Sequence, residues 1–135
     1  MKQYHIVSRI AIYLLAIVMI AFGVYHFQNA RDLVVYIPSS VPGGVIWVYF
    51  VGAAFILVGL AFIANKMVKA AGYLLAVLLF VFIAIIHIPN YFEAGSSEMR
   101  SMALVNMLKD LAIAGFALHI AAGAHHQKLH LEESD

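Results

Sequence analysis

Polar residues interrupt this chain at only a few places, and the interruptions divide it into four apolar runs. The first covers residues 10–27, with His26 at its exit and Asn29, Arg31 and Asp32 beyond. The second covers 45–64, opens on Trp47 and Tyr49, and gives way to Asn65, Lys66 and Lys69. The third covers 70–87 and meets Pro89 just after His87. Each run approaches the ~20 residues, at ~1.5 Å apiece, that a helix needs to cross a bilayer. The pattern predicts an all-α fold: an integral membrane four-helix bundle.

The fourth run carries the anomaly. Its unbroken apolar part, from Leu111 to Ala124, is about 14 residues long, too short to span. The span is therefore expected at 102–122, which places Lys109 and Asp110 inside it. At ~1.5 Å per residue, Lys109 is expected on the order of 10 Å below the surface where this helix enters. A charge at mid-membrane costs roughly 2.5–3.5 kcal/mol, and partners must offset it. Asn106 is three residues from Lys109 and four from Asp110, so all three share one side of the helix. Lys109 and Asp110 diverge by about 100° and do not pair with each other, leaving Asn106 to bridge both. Three readings follow. Lys109 snorkels to the interface and Asp110 pairs only for assembly, the face lines a binding or catalytic pocket, or the span is drawn in the wrong place.

The connections differ in character. Residues 31–44 contain Pro38, Pro42, Gly43 and Gly44, and read as a turn-rich loop. Leu33 to Ile37 is too apolar to hang in water, so this loop should lie on the membrane surface or fold over the bundle mouth. Trp47 and Tyr49 fit an interfacial aromatic belt. Pro89 should end or kink the third helix near His87, because proline discourages a helical conformation at the residue before it. Residues 1–124 form one transmembrane domain, and 125–135 are expected as a polar, frayed cytoplasmic tail. The N-terminal run lacks a small-x-small cleavage site and reads as a retained helix, not a signal peptide.

Composition sharpens the class. The chain of 135 residues is 64% hydrophobic and 11% charged, against about 25% charged in soluble domains. Formal net charge is +1, without a basic block, so nucleic acid is not an expected partner. No cysteine is present, which excludes thiol chemistry and thiolate-held iron–sulfur clusters carried by this chain. Lys2, Arg9, Lys66, Lys69 and Lys128 fall on one side of a four-span topology, and only Arg31 and Arg100 on the other. The positive-inside rule then puts both termini in the cytoplasm, with the protein multi-pass in the inner membrane. His26, Asn29, His87, Asn90, Asn106, Lys109 and Asp110 converge on the outer half of the bundle and form the candidate ligand pocket.

Several chemistries can be weighed against these residues. Paired histidines on facing helices can ligate haem, but His26 and His87 sit near helix ends, where histidines commonly face headgroups, so haem is not the expected cofactor. His125, His126 and His130 lack firm ligand spacing, and no metal site is expected. No nucleophile–base–orienter set is readable, so the chain is at most an oxidoreductase subunit. A quinone or another amphiphile fits better: a few polar groups at shallow depth with an apolar slot behind them. Glycines at 52, 59, 72, 115 and 123 suggest the alternative, a non-enzymatic partner or assembly chaperone that presents small-residue faces to other membrane helices or to a second copy. Membrane lipids are expected neighbours in either case.

The strings GVYHF (Gly23 to Phe27), YIPSSVP, the second-run pattern G-x6-G followed by Lys66 and Lys69, and LKDLAIAGFAL (Leu108 to Leu118) resemble the DoxX family of small four-helix membrane proteins. The resemblance covers about residues 9–122. It implies an inner-membrane bundle and a redox-associated subunit, or an assembly chaperone as in a distant branch. By position, the glycine-x-x-histidine of that family matches Gly23 and His26, and its last-span lysine matches Lys109.

Overall fold

A computed structural model describes the backbone of residues 2–133 and the side chains of residues 6–124. Among the described residues the chain is helical, without a strand. Four helices are long and apolar enough to cross a membrane, over Ile6–Gln28, Val45–Ala64, Val68–Phe92 and Ser97–Ala124. They run up, down, up and down. The described ends of the chain therefore share one end of the bundle, and residues 29–44 and 93–96 share the other.

Local chemistry accounts for the helix ends. The second helix closes on Asn65, which adopts the left-handed conformation at φ 55°. The Lys66 amide then donates to the Ala61 carbonyl at 3.1 Å and the Asn65 amide to Phe62 at 3.3 Å. These two bonds make a Schellman turn, which satisfies carbonyls that a helix end leaves open. The fourth helix starts at Ser97, where the Ser96 hydroxyl accepts from the Met99 amide at 3.2 Å, an N-cap. It thus begins before the expected boundary at 102. It also continues to Glu133, so the backbone of residues 125–133 is helical where fraying was expected. The side chains of that tail, including His125, His126 and His130, lie outside the described residues.

The third helix departs from expectation in an informative way. It does not end at His87. Residues Ile83–His87 widen into a π-helical turn, and the helix resumes over Ile88–Phe92. Ile88 is helical at φ −65°, ψ −50° despite preceding Pro89. Proline lacks an amide hydrogen and crowds the carbonyl four residues back. A π turn gives that carbonyl room by inserting one extra residue, and the bundle's packing outweighs the preference of a pre-proline residue.

The four helices pack as two pairs. The first lies along the second, the third lies along the fourth, and the first and fourth scarcely approach one another. Glycine sets the first pair's spacing. A Cβ on Gly23 would stand 2.6 Å from the Gly52 carbonyl oxygen, and one on Gly59 would stand 2.7 Å from that of Ala16. Neither is tolerable, so the two backbones touch at both levels. Gly72 does the same in the other pair, 2.9 Å from the Ala117 carbonyl oxygen. The pairs join through a core that includes Met19, Phe55, Val58, Phe62, Leu75 and Leu79, with Ala16, Ala76, Ala114 and Ala117 buried among them.

Candidate functional site

Toward the end opposite the described chain ends, a partly open cavity of about 490 Å³ lies between the two helix pairs. Its walls are Met19, Phe22, Tyr25 and His26 of the first helix, and Val48, Val51 and Phe55 of the second. Leu78, Leu79, Phe82, Ile86 and His87 come from the third helix, and Met102, Asn106, Lys109, Asp110 and Ile113 from the fourth. Leu33, Tyr36, Ile37 and Val41 cover it from the 29–44 connection. That connection is not a pendant loop. It winds through Ala30–Leu33 and a 3-10 turn at Val34–Tyr36, and folds back over the bundle mouth.

Two contacts pin this cover. The Asn90 side-chain amide donates to the Tyr36 carbonyl at 2.9 Å, tying the cover to the third helix. The Trp47 indole donates to the Pro42 carbonyl at 2.6 Å. Trp47 was expected only as an interfacial anchor; here it also lines the cavity and stacks edge-on with Phe50, 5.9 Å between centroids. Gly43 sits beneath it at φ 102°, where a Cβ would stand 2.8 Å from the indole nitrogen. Positive φ and the close ring both call for glycine.

Asp110 is the buried charged residue among the described side chains, 7% exposed. Its Oδ2 accepts from Nε2 of His87 at 2.8 Å, and the two side chains are 9% and 14% exposed. The pair joins the fourth helix to the π turn of the third. The charge-assisted bond replaces hydration that the carboxylate loses on burial.

Lys109 is treated differently. Among the described residues it has no carboxylate within ion-pair distance. Its ammonium stands over the Phe22 ring of the first helix, 5.2 Å from the centroid, across the gap between the helix pairs. Lys109 is itself exposed, so it bridges the two pairs at the open side of the cavity that it helps to line. From Ser97 to Lys109 is roughly 18 Å of helix at ~1.5 Å per residue, well into that span.

Asn106 lines the cavity too, but no hydrogen bond joins it to Lys109 or Asp110 among the described residues, so it is not the bridge its spacing suggested. His26 donates from Nδ1 to the Phe22 carbonyl at 2.7 Å and meets Phe55 edge-on at 5.3 Å. A carbonyl can only accept, so Nδ1 carries the proton, and a neutral His26 keeps Nε2 as a free acceptor.

Five of the seven expected residues thus line the cavity: His26, His87, Asn106, Lys109 and Asp110. Asn29 and Asn90 do not. Asn29 bonds back to the Tyr25 carbonyl at 3.2 Å, and Asn90 holds the cover. Both are polar because they close backbone structure at a helix end. His119 is exposed and away from the cavity. The haem geometry finds no support: His87 commits to Asp110 the ring nitrogen an axial ligand would use. Among the described residues no group of three His, Asp or Glu side chains could hold a metal ion. The expected glycine faces are also partly spent. Gly52, Gly59 and Gly72 are consumed inside the bundle, while Gly115 and Gly123 face open space.

Phe22 was overlooked at the sequence level, yet it seats Lys109 by its ring and His26 by its carbonyl. Its place one turn before His26 was the available signal.

Fold and site together define a class: a small helical bundle with four membrane-length helices, split into two pairs around an apolar cavity with one polar wall. Within that class the chain belongs to the family described as Domain of unknown function (DUF8561), whose model matches residues 15–124. No curated protein and no solved structure matches the chain. The resemblance to the DoxX family is overturned by this membership. The strings that carried it are short and apolar. Membrane helices of unrelated families draw on the same few residues, so such strings recur without kinship. The redox partners and chaperone role that the resemblance implied lose their support with it.

Proposed function

We propose that this chain is a multi-pass inner-membrane protein, with both termini cytoplasmic, that binds a membrane-soluble amphiphile between its two helix pairs. The observation that carries the reading is Lys109. A cation held far from the helix start, at the open side of an apolar cavity and without an anionic partner among the described residues, is costly unless something answers it. Asn106 and the Nε2 atom of His26, without a hydrogen-bond partner among the described residues, add further polar capacity at the same cavity.

The shape agrees. About 490 Å³ lies within the ~300–1,000 Å³ of small-molecule sites, which are mostly apolar with a few placed polar groups. Tyr25 and Met102 on one side, and Phe50, Val81 and Ile85 on the other, are both cavity-lining and exposed. They mark lateral openings between the pairs, through which a ligand dissolved in the bilayer could enter without crossing water. Quinones belong to this ligand class. The orientation rests on the excess of lysine and arginine on the side of the termini.

Native mass spectrometry of protein released from native membranes tests the reading. An amphiphile should co-purify, and Val48→Trp, which fills the cavity, should remove it. Retention of the same molecule by the filled variant would place binding elsewhere.

A further inference from the structure

Building on that reading, we infer that the occupant is a long-chain carboxylic acid, bound as its anion with the carboxylate between Lys109 and Asn106. The inference concerns charge, and charge separates it from a neutral quinone. The wall contains one carboxylate, Asp110, and it is engaged: His87 holds its Oδ2 at 2.8 Å. Among the described residues the ammonium of Lys109 is not engaged by an acid; it meets the face of Phe22 at 5.2 Å. A ring face leaves the ammonium protons free for an acceptor arriving from the cavity. Asn106 lies one turn away on the same helix face, and its amide has no hydrogen-bond partner among the described residues. Two donors one turn apart suit the two oxygens of a carboxylate.

A phosphate headgroup suits the site less. It brings more acceptor oxygens and recruits arginine or several cations, and Lys109 is the lysine or arginine that lines this cavity. A two-chain phospholipid also asks for more room than about 490 Å³. A single chain fits along the apolar walls and can leave through a lateral opening. Asp110 is answered by its own hydrogen bond to His87, and the anion is placed at the Lys109 and Asn106 donors and not at that pair.

The test uses the full-length protein in nanodiscs of neutral lipid and three radiolabelled probes: palmitate, hexadecanol and a prenylated benzoquinone. Palmitate should bind saturably at one per chain, and hexadecanol at least about tenfold more weakly, as expected for loss of a charge-assisted contact. Lys109→Met should weaken palmitate about tenfold or more, and Lys109→Arg should restore it. The arginine variant also guards against loss of fold in the methionine variant. Equal binding of hexadecanol or the benzoquinone, or palmitate binding unchanged by Lys109→Met, would overturn the inference and leave amphiphile binding intact. Saturable binding of none of the three would overturn both.

Discussion

The chemistry at residue scale is an asymmetry between neighbours. Asp110 is buried and answered by His87; Lys109, one residue earlier, meets an aromatic face and no acid among the described residues. The two positions should therefore respond in opposite ways to truncation. His87→Ala strands a carboxylate in a low-dielectric interior, and breaking a buried pair this way costs about 3–5 kcal/mol. Asp110→Ala leaves a neutral imidazole short of one bond, at about 1–3 kcal/mol. Replacing both by leucine should recover much of the loss, because neither polar group is then stranded. Reversible unfolding in mixed micelles measures all three. Equal costs for the two single variants would mean that the pair is not buried as described. Lys109→Met should leave stability unchanged or higher, since it forfeits one cation–π contact of about 0.5–2 kcal/mol and relieves a charge that costs more. A large loss of stability at Lys109 would identify it as an assembly contact.

At the scale of elements, the sequence made the helices legible but not their register. Runs of apolar residues located four membrane-length helices, although the fourth begins at Ser97 and not at 102. His87 could be seen near a helix end beside Pro89, but not that a π turn would aim it at Asp110. That outcome depends on how the third and fourth helices pack, which no local preference encodes. The π turn yields a test. Pro89→Ala removes the reason for the extra residue, so the third helix should relax toward regular α geometry and rotate His87 away. In a Pro89→Ala background the cost of Asp110→Ala should fall by more than half, a coupling that a double-mutant cycle reads directly. Additive costs would show the π turn to be irrelevant to the pair. The glycines make a second contrast. Gly23→Ala forces a Cβ to 2.6 Å from the Gly52 carbonyl oxygen and should cost about 1–3 kcal/mol as the first pair spreads. Gly115→Ala meets nothing within 4 Å and should be neutral or stabilising by up to ~1 kcal/mol through helix propensity. The same glycine pattern in sequence conceals these two cases, because spacing alone does not say which face meets a neighbour inside the chain.

The whole molecule is two tight helix pairs that share a core and line a cavity toward one end. Polar outliers in the sequence pointed to that end, yet Asn29 and Asn90 turn out to be fastenings and not lining. Their side chains resemble those of Asn106 in sequence; only the fold distinguishes a backbone cap from an open amide. The topology can be checked simply because the chain has no cysteine. Single cysteines at Ser39 and Lys66 should label from opposite sides of the membrane, the first only from the face opposite the cytoplasm. Labelling from the same side would break the four-span arrangement. The central claim is that the gap between the pairs holds an amphiphile headgroup against Lys109. A cryo-EM map of the protein in native-lipid nanodiscs tests it most directly. Elongated density between the pairs, its polar end within hydrogen-bond distance of the Lys109 ammonium, is the predicted result. An empty gap, or Lys109 turned out toward lipid headgroups, would contradict it.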